Sequence, residues 1–302
     1  MKKFFLWSVA GLLSLAGFTQ SSKNDNTLLW RISGKGLAKS SYLFGTIHMI
    51  CADDIQLSDS LRSAIRKADD VYLELDMDNM FELMSVMTKM KMRGDTTLSD
   101  LLTASEYQKV KAFFKRKGGM LPFSMLETYK PMLAASTLMQ GAIDCDNAIA
   151  MEQLVMAEAK KHDKSIKGLE TMAFQMSIFD SIPYSVQAKQ LLNFIETSGD
   201  STGNKEFENM MNAYRSQELN KLEEITIKED LGMERFTEIM LYSRNRQWAE
   251  KLERIMVGQS LVIAVGAGHL PGNKGVISLL RKKGYKVEPV KNDMVKKMTK
   301  EM

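Results

Sequence analysis

Tyr42-Leu43-Phe44-Gly45-Thr46-Ile47-His48 and Leu261-Val262-Ile263-Ala264-Val265-Gly266-Ala267-Gly268-His269-Leu270 decide how this chain is read. Each is an apolar run that reaches a glycine and presents a histidine three residues later. The chain has three histidines, and two of them occupy the same place in this pattern. Such runs read as buried strands. A glycine at the strand end lets the backbone turn sharply or take a positive φ. The next side chains then stand at the carboxyl edge of a sheet, where α/β proteins hold their ligands. A histidine there is a neutral nitrogen donor for a metal, or a base that titrates near neutrality. One such histidine could simply close a turn, whereas the matched pair predicts a shared site.

Outward from the first motif, the N-terminus does not read as part of a fold. Lys2 and Lys3 precede an almost continuously apolar run, Phe4 to Phe18, and small or polar residues follow (Gly17, Thr19, Gln20, Ser21, Ser22). The run is shorter than the ~20 residues a spanning helix needs. Residues 1–20 are therefore expected to be a secretory signal peptide, cut between Ala16 and Ser22, with an uncleaved anchor as the alternative. The protein is expected to be exported, periplasmic or secreted. No stable membrane span should remain after cleavage, and residues 21–302 should form a single domain.

Composition is that of a globular protein: 44% hydrophobic, 26% charged, net charge +4. The positive excess comes mostly from the signal lysines and the tail Lys291–Met302. Aromatic and basic residues do not alternate, which argues against a nucleic-acid partner. The 24 methionines fall at helical spacing in Met77–Met92 and Met132–Met156. Methionine is an adaptable core filler, so these are expected inside; a methionine-rich surface for apolar peptides is the alternative. Cys51 and Cys145 are the two cysteines. In an exported protein an even count points to a disulfide, which would tie the loop after His48 to the region around Cys145. A thiolate ligand beside His48, or two free thiols, are the other readings.

Between the motifs, Leu28–Ser33 alternates and pairs with the first motif strand as a hairpin turning at Gly34-Lys35-Gly36. Ser58–Ala68 is a short helix. Asp70–Asp76 is a strand that puts Val71, Leu73 and Leu75 on one face and Tyr72, Glu74 and Asp76 on the other. In a sheet covered on both faces Glu74 would be a buried carboxylate, costly unless a cation or metal compensates it. Residues 79–164 read as a helical insertion, with a capping box at Thr103–Glu106, a stop at Gly118-Gly119 and a helix over Asp146–Lys161. His162 sits in a solvated helix end and is given no role. Ser165–Thr171 is another strand reaching a glycine, after which Glu170 is expected to open a helix. Ser198–Lys205 reads as a mobile loop.

On a helical wheel for Phe236–Met256, Met240, Leu241, Trp248, Leu252 and Ile255 form an apolar stripe. Arg244 falls inside the stripe and Asn245 at its margin. A guanidinium cannot shed its charge, so Arg244 is expected to face a carboxylate or a bound anion, with a structural salt bridge as the competing account. After the second motif, a helix and the closing strand Tyr285–Val290 complete a strand-helix-strand unit, which implies parallel pairing.

The ordered set GTIH, LELD, GLET, Arg-Asn on a helix and GAGHL, spanning about Leu28 to Val290, resembles the TraB/GumN/PrgY family, to which the animal TIKI proteases belong. The resemblance implies an α/β fold with a mixed central sheet built from two related halves and a large helical insertion between them, about 79–164. It also implies a site at Gly45, His48, Glu74, Glu170, Arg244, Asn245, Gly266, Gly268 and His269, and, from the animal members, divalent-metal-dependent proteolysis. In that reading His48 and His269, with one or two carboxylates, hold a divalent ion (Mn, Co or Zn). Glu74 or Glu170 takes the proton of a bound water. Arg244, helped by Asn245, stabilises an oxyanion or holds a substrate carboxylate. The substrate would be a peptide or a small molecule. Two further readings stay open: a non-catalytic protein binding a peptide, metal or haem, and a metal-independent, esterase-like hydrolase.

Overall fold

In the computed structural model, which describes residues 26–117, 121–140, 145, 147–197, 201–228 and 234–295, both motif strands lie side by side inside one sheet. The strands are β1 (Leu29–Ser33), β2 (Ser41–Thr46), β3 (Ile50–Cys51), β4 (Asp70–Leu75), β5 (Ala148–Ile149), β6 (Ser165–Glu170), β7 (Leu261–Gly266) and β8 (Lys286–Pro289). The helices are α1 (Asp59–Lys67), α2 (Met80–Val86), α3 (Leu98–Leu101), α4 (Ala104–Lys117), α5 (Phe123–Leu126), α6 (Pro131–Gln140), α7 (Met151–Lys160), α8 (Met172–Phe179), α9 (Tyr184–Thr197), α10 (Ser201–Arg215), α11 (Leu219–Lys228), α12 (Glu234–Thr237), α13 (Ser243–Ile255) and α14 (Val276–Lys282). The expected signal segment and the Gly118-Gly119 stop lie outside the described residues.

The main sheet is mixed, in the order β6-β4-β7-β2-β1-β8. Its first four strands are parallel, while β1 runs antiparallel to both β2 and β8. Leu261, Val262, Ile263, Ala264 and Val265 are all buried. Consecutive buried residues mean that β7 is covered on both faces, as parallel strands require. The sequence β6-β4-β7-β2 sets four carboxyl ends in a row, and each carries one of the expected site residues: Glu170, Glu74, His269 and His48.

Several boundaries differ from the sequence reading. The closing strand does not pair in parallel: β8 lies beside β1 and antiparallel to it, with two strands between it and β7. Glu170 does not open a helix but ends β6. Thr171 caps α8 instead, accepting the Phe174 N–H at 3.1 Å, because a threonine hydroxyl is the better N-cap. The helix expected over Asp146–Lys161 begins at Met151, since Asn147–Ile149 is drawn into pairing with Ile50–Ala52. A helix already runs from Ser201, inside the expected mobile loop. The long helix carrying Arg244 is interrupted by a π-helical turn, Glu238–Tyr242, which rotates Met240 and Leu241 away from the ideal wheel.

Apolar burial gathers in two places. One core surrounds the sheet. A second joins Leu98, Val110, Phe113, Leu126, Leu138, Leu191 and Ile195 from the helices α3–α6 and α9, so the insertion's core takes in α9 as well. The methionines of Met77–Met87 are in neither. Met77, Met80, Met84 and Met87 stand exposed with Phe81, because α2 turns inward Val86 and the carboxylate of Glu82, which accepts the Met172 N–H at 3.0 Å. The expectation that Met77–Met92 fill the core is thus corrected for these four, whereas Met90 packs against the second core and Met92 is buried.

Candidate active site

Register explains why the glycines are there. Thr46 lies opposite Gly266 across the β2–β7 pairing. A Cβ on Gly266 would come within 3.2 Å of Glu74 Oε1, and one on Gly45 within 3.2 Å of Ala267. Neither glycine takes a positive φ. They serve close approach rather than a sharp turn, which replaces the sequence-level reason. Gly268 is under no such pressure, its nearest contact being Thr226 Oγ1 at 3.5 Å.

At the centre of the strand edge Arg244 meets both carboxylates. Its Nε donates to Glu170 Oε1 and Oε2, each at 3.0 Å, and its Nη2 to Glu74 Oε2 at 2.6 Å and Glu170 Oε2 at 2.9 Å. Its Nη1 donates to the Met240 carbonyl at 3.0 Å and faces His269 Nε2 at 3.3 Å. All five guanidinium N–H groups therefore have protein partners. Arg244 has none left for an oxyanion or a substrate carboxylate, so the structural ion pair is the account that holds. Further donors fill all but one of the remaining carboxylate positions, which is on Glu74 Oε1. Gly266 N donates to Glu74 Oε1 at 2.8 Å, and Trp248 Nε1 to Glu170 Oε1 at 2.8 Å. Gln175 Nε2 bridges Glu74 Oε2 and Glu170 Oε2 at 3.1 and 3.2 Å.

Asn245 does not assist Arg244. Its Nδ2 donates to the carbonyls of His269 and Lys274, which turns its Oδ1 onto His269 Nδ1 at 2.6 Å. An amide oxygen only accepts, so Nδ1 carries the proton and Nε2 keeps its lone pair. Trp248 lies against the imidazole, ring centroids 4.4 Å apart. Burial lowers the pKa of His269 to about 4, a shift that Glu74 opposes and Arg244 reinforces. Burial pushes Glu74 up, but His269 and Arg244, with the Gly266 and Arg244 hydrogen bonds, hold it at about 2. At neutral pH His269 is uncharged, so Arg244 carries that compensation. Two carboxylates against one guanidinium leave one negative charge in excess.

His48 stands apart from this closed cluster. Its side chain is 77% exposed, and Nδ1 lies 3.0 Å from Oε1 of Glu152, a carboxylate only 16% exposed. Thr46 Oγ1 donates to the same oxygen at 2.6 Å. The Glu152 bond raises the pKa of His48; the charges of Glu152 and Glu74 add to the shift and that of Arg244 opposes it. His48 and His269 emerge from adjacent strand ends, close enough for the charge of one to act on the other. His162 is elsewhere, its Nε2 3.3 Å from Glu158. Cys51 and Cys145 are bonded to each other.

A divalent ion can be tested against this donor set. The Nε2 lone pairs on both imidazoles, each backed through Nδ1, suit a metal. The carboxylates suit one less well, since Glu170 is saturated by N–H donors, Glu74 keeps a single open position on Oε1, and a guanidinium sits against His269 Nε2. Among the described residues no three His, Cys, Asp or Glu side chains converge to hold an ion. The arrangement does not fit a metal centre, and no step below passes through one.

Glu152, Gln175, Trp248 and Thr46 are the residues the sequence reading missed as parts of the site. Trp248 was visible in the apolar stripe, and Gln175 lies five residues past Glu170. Glu152 is an ordinary first-turn acid of α7, with no local signal to mark it.

The sequence matches the TraB/PrgY/gumN family over residues 28–289. It is similar to the metalloprotease TIKI2 of Danio rerio, 22% identical, with 89% of this chain and 62% of that protein aligned. The metalloprotease TIKI2 of Xenopus tropicalis is 22% identical over 90% of this chain and 61% of its own length. A metalloprotease TIKI homolog of Amphimedon queenslandica is 23% identical over 94% and 66%. The chain thus spans between 61% and 66% of the length of these relatives. No solved structure matches.

Proposed function

The chain belongs to the TraB/PrgY/gumN family, and from that membership we propose that it is a hydrolase of peptides in which the exposed imidazole of His48 is the base. The observation that carries this reading is the pairing of an accessible imidazole with a largely buried carboxylate at 3.0 Å. The similarity to the TIKI metalloproteases supports the substrate class.

His48 Nε2 takes a proton from water as the water oxygen attacks the peptide carbonyl carbon. The imidazolium then returns that proton to the departing nitrogen as the C–N bond breaks, giving a carboxylic acid and an amine. Glu152 and the charge of Glu74 stabilise the transient imidazolium, against the opposing charge of Arg244. The Glu74–Glu170–Arg244 cluster also ties together the ends of β4, β6 and β7. Substrate approaches from the His48 side, since Glu74, Glu170, Arg244 and His269 are largely buried.

Export is part of the proposal. It rests on the charged-then-apolar segment Lys2–Phe18 and is supported by the Cys51–Cys145 bridge, which suits an oxidising compartment. No helix among the described residues is long and apolar enough to cross a membrane.

The test is to incubate the purified protein with a peptide library and read new termini by mass spectrometry, with and without chelator and added Mn, Co or Zn. We expect cleavage that disappears in His48→Ala. Stoichiometric peptide binding with no new ends would instead make it a binding protein. Cleavage that a chelator removes and a metal restores would give this chain the metal dependence that the relatives' name states for them.

A further inference from the structure

We propose that Glu152 is the positioning residue of His48, holding its imidazole by Nδ1 so that Nε2 faces the substrate, and that the Cys51–Cys145 ribbon delivers it there. The inference rests on the reading of His48 as the base.

Several observations make this a built arrangement rather than a chance surface pair. An ionised carboxylate only accepts hydrogen bonds, so its oxygen 3.0 Å from Nδ1 favours the tautomer with the proton on Nδ1 and the lone pair on Nε2. Glu152 Oε1 is held from a second side by Thr46, a buried residue of β2 two positions before His48. Its other oxygen, Oε2, is buried and meets no donor among the described residues. Burying a carboxylate this way is costly.

The two partners are far apart in the chain, and a continuous zipper joins them. Met151 N donates to the Ile47 carbonyl at 3.0 Å, between Thr46 and His48. Ile149 then pairs with Ile50, and Ala148 with Cys51. Asn147 accepts the Ala52 N–H at 2.9 Å. The bridge to Cys145, with Cα atoms 6.1 Å apart, fastens the far end. The first turn of α7 follows directly from this ribbon, so Glu152 cannot leave His48 without opening it. A tautomer fixed by a third group is how imidazole bases elsewhere are kept ready.

The experiment reads the His48 tautomer by long-range 1H–15N NMR of imidazole-labelled full-length protein, at a pH where the ring is neutral. The resonance is assigned by its loss in His48→Gln. The wild type should show the Nδ1–H form, Glu152→Gln should keep it, and Glu152→Met, which preserves apolar packing, should lose it. On the peptide cleaved fastest in the library, Glu152→Met should lower kcat about 10- to 100-fold, the usual reach of such supporting groups. KM should stay within about twofold, and Glu152→Gln should restore part of the loss. Reduction of the bridge should broaden or shift the His48 ring signals. An Nε2–H form in the wild type overturns the proposal even if no variant folds, and so does a Glu152→Met protein with unchanged tautomer and kcat. If the wild type cleaves no peptide, the hydrolase reading falls, while the tautomer still decides the positioning.

Discussion

Arg244 shows how differently a residue reads once its hydrogen-bond partners are known. Its place in an apolar stripe correctly demanded an anion, yet Glu74, Glu170, Met240 and His269 engage every N–H it has. Removing one member of a buried ion pair strands the others. Arg244→Ala should therefore lower unfolding stability by about 3–5 kcal/mol, as read by urea titration, rather than change substrate affinity in the folded protein. His269 makes a second prediction. Its pKa falls to about 4 in the fold from an ordinary 6.5. Between those values the unfolded chain takes up a proton that the folded one refuses, so stability declines as pH drops through this window. Thermal midpoints should fall from pH 6.5 toward pH 4, less steeply in His269→Gln if that variant folds. For catalysis the relevant group is His48, whose raised pKa means that the neutral base appears later as pH rises. The acid limb of kcat/KM should lie above the 6.5 of a free imidazole, measured on the best library peptide.

At the level of single elements, four strand ends place the site, and their spacing tolerates little added bulk. A Cβ on Gly168, inside β6, would sit 2.6 Å from the Glu170 carbonyl and 2.8 Å from Asp76 N. Both are backbone atoms, so the strand end itself must move. Gly168→Ala should cost about 1–3 kcal/mol and displace Glu170, visible as a lower thermal midpoint and a shifted Trp248 fluorescence. The alternation of Asp70–Asp76 revealed Glu74, because period 2 is a local property. The end of β6 was less legible: Glu170 and Thr171 can each begin a helix, and only the β4–β6 pairing, which continues to Leu75 opposite Glu170, decides between them. The start of α7 was misread for a similar reason. Residues 147–149 have helical neighbours in sequence, but their hydrogen-bonding partners lie almost a hundred positions earlier.

Across the whole molecule, the methionines divide by location in a way that their spacing does not announce. Met77, Met80, Met84 and Met87 are 51%, 63%, 65% and 57% exposed, whereas Met151, Met256 and Met294 are fully buried. Dilute peroxide should oxidise the first four early while the last three stay reduced until the protein unfolds, as peptide mass spectrometry would show. The chain's own pattern determined that strands run into His48, Glu74 and His269, that Arg244 needs an anion, and that the class is α/β. Those are consequences of short-range periodicity and of the cost of burying charge. Tertiary structure alone decided which atoms meet: that β7 inserts between β4 and β2, that Asn245 turns to His269, and that Glu152 reaches His48. Such contacts depend on strand order and helix docking between segments far apart in the chain, from 24 residues for Asn245 and His269 to over a hundred for Glu152 and His48, and no local spacing encodes them.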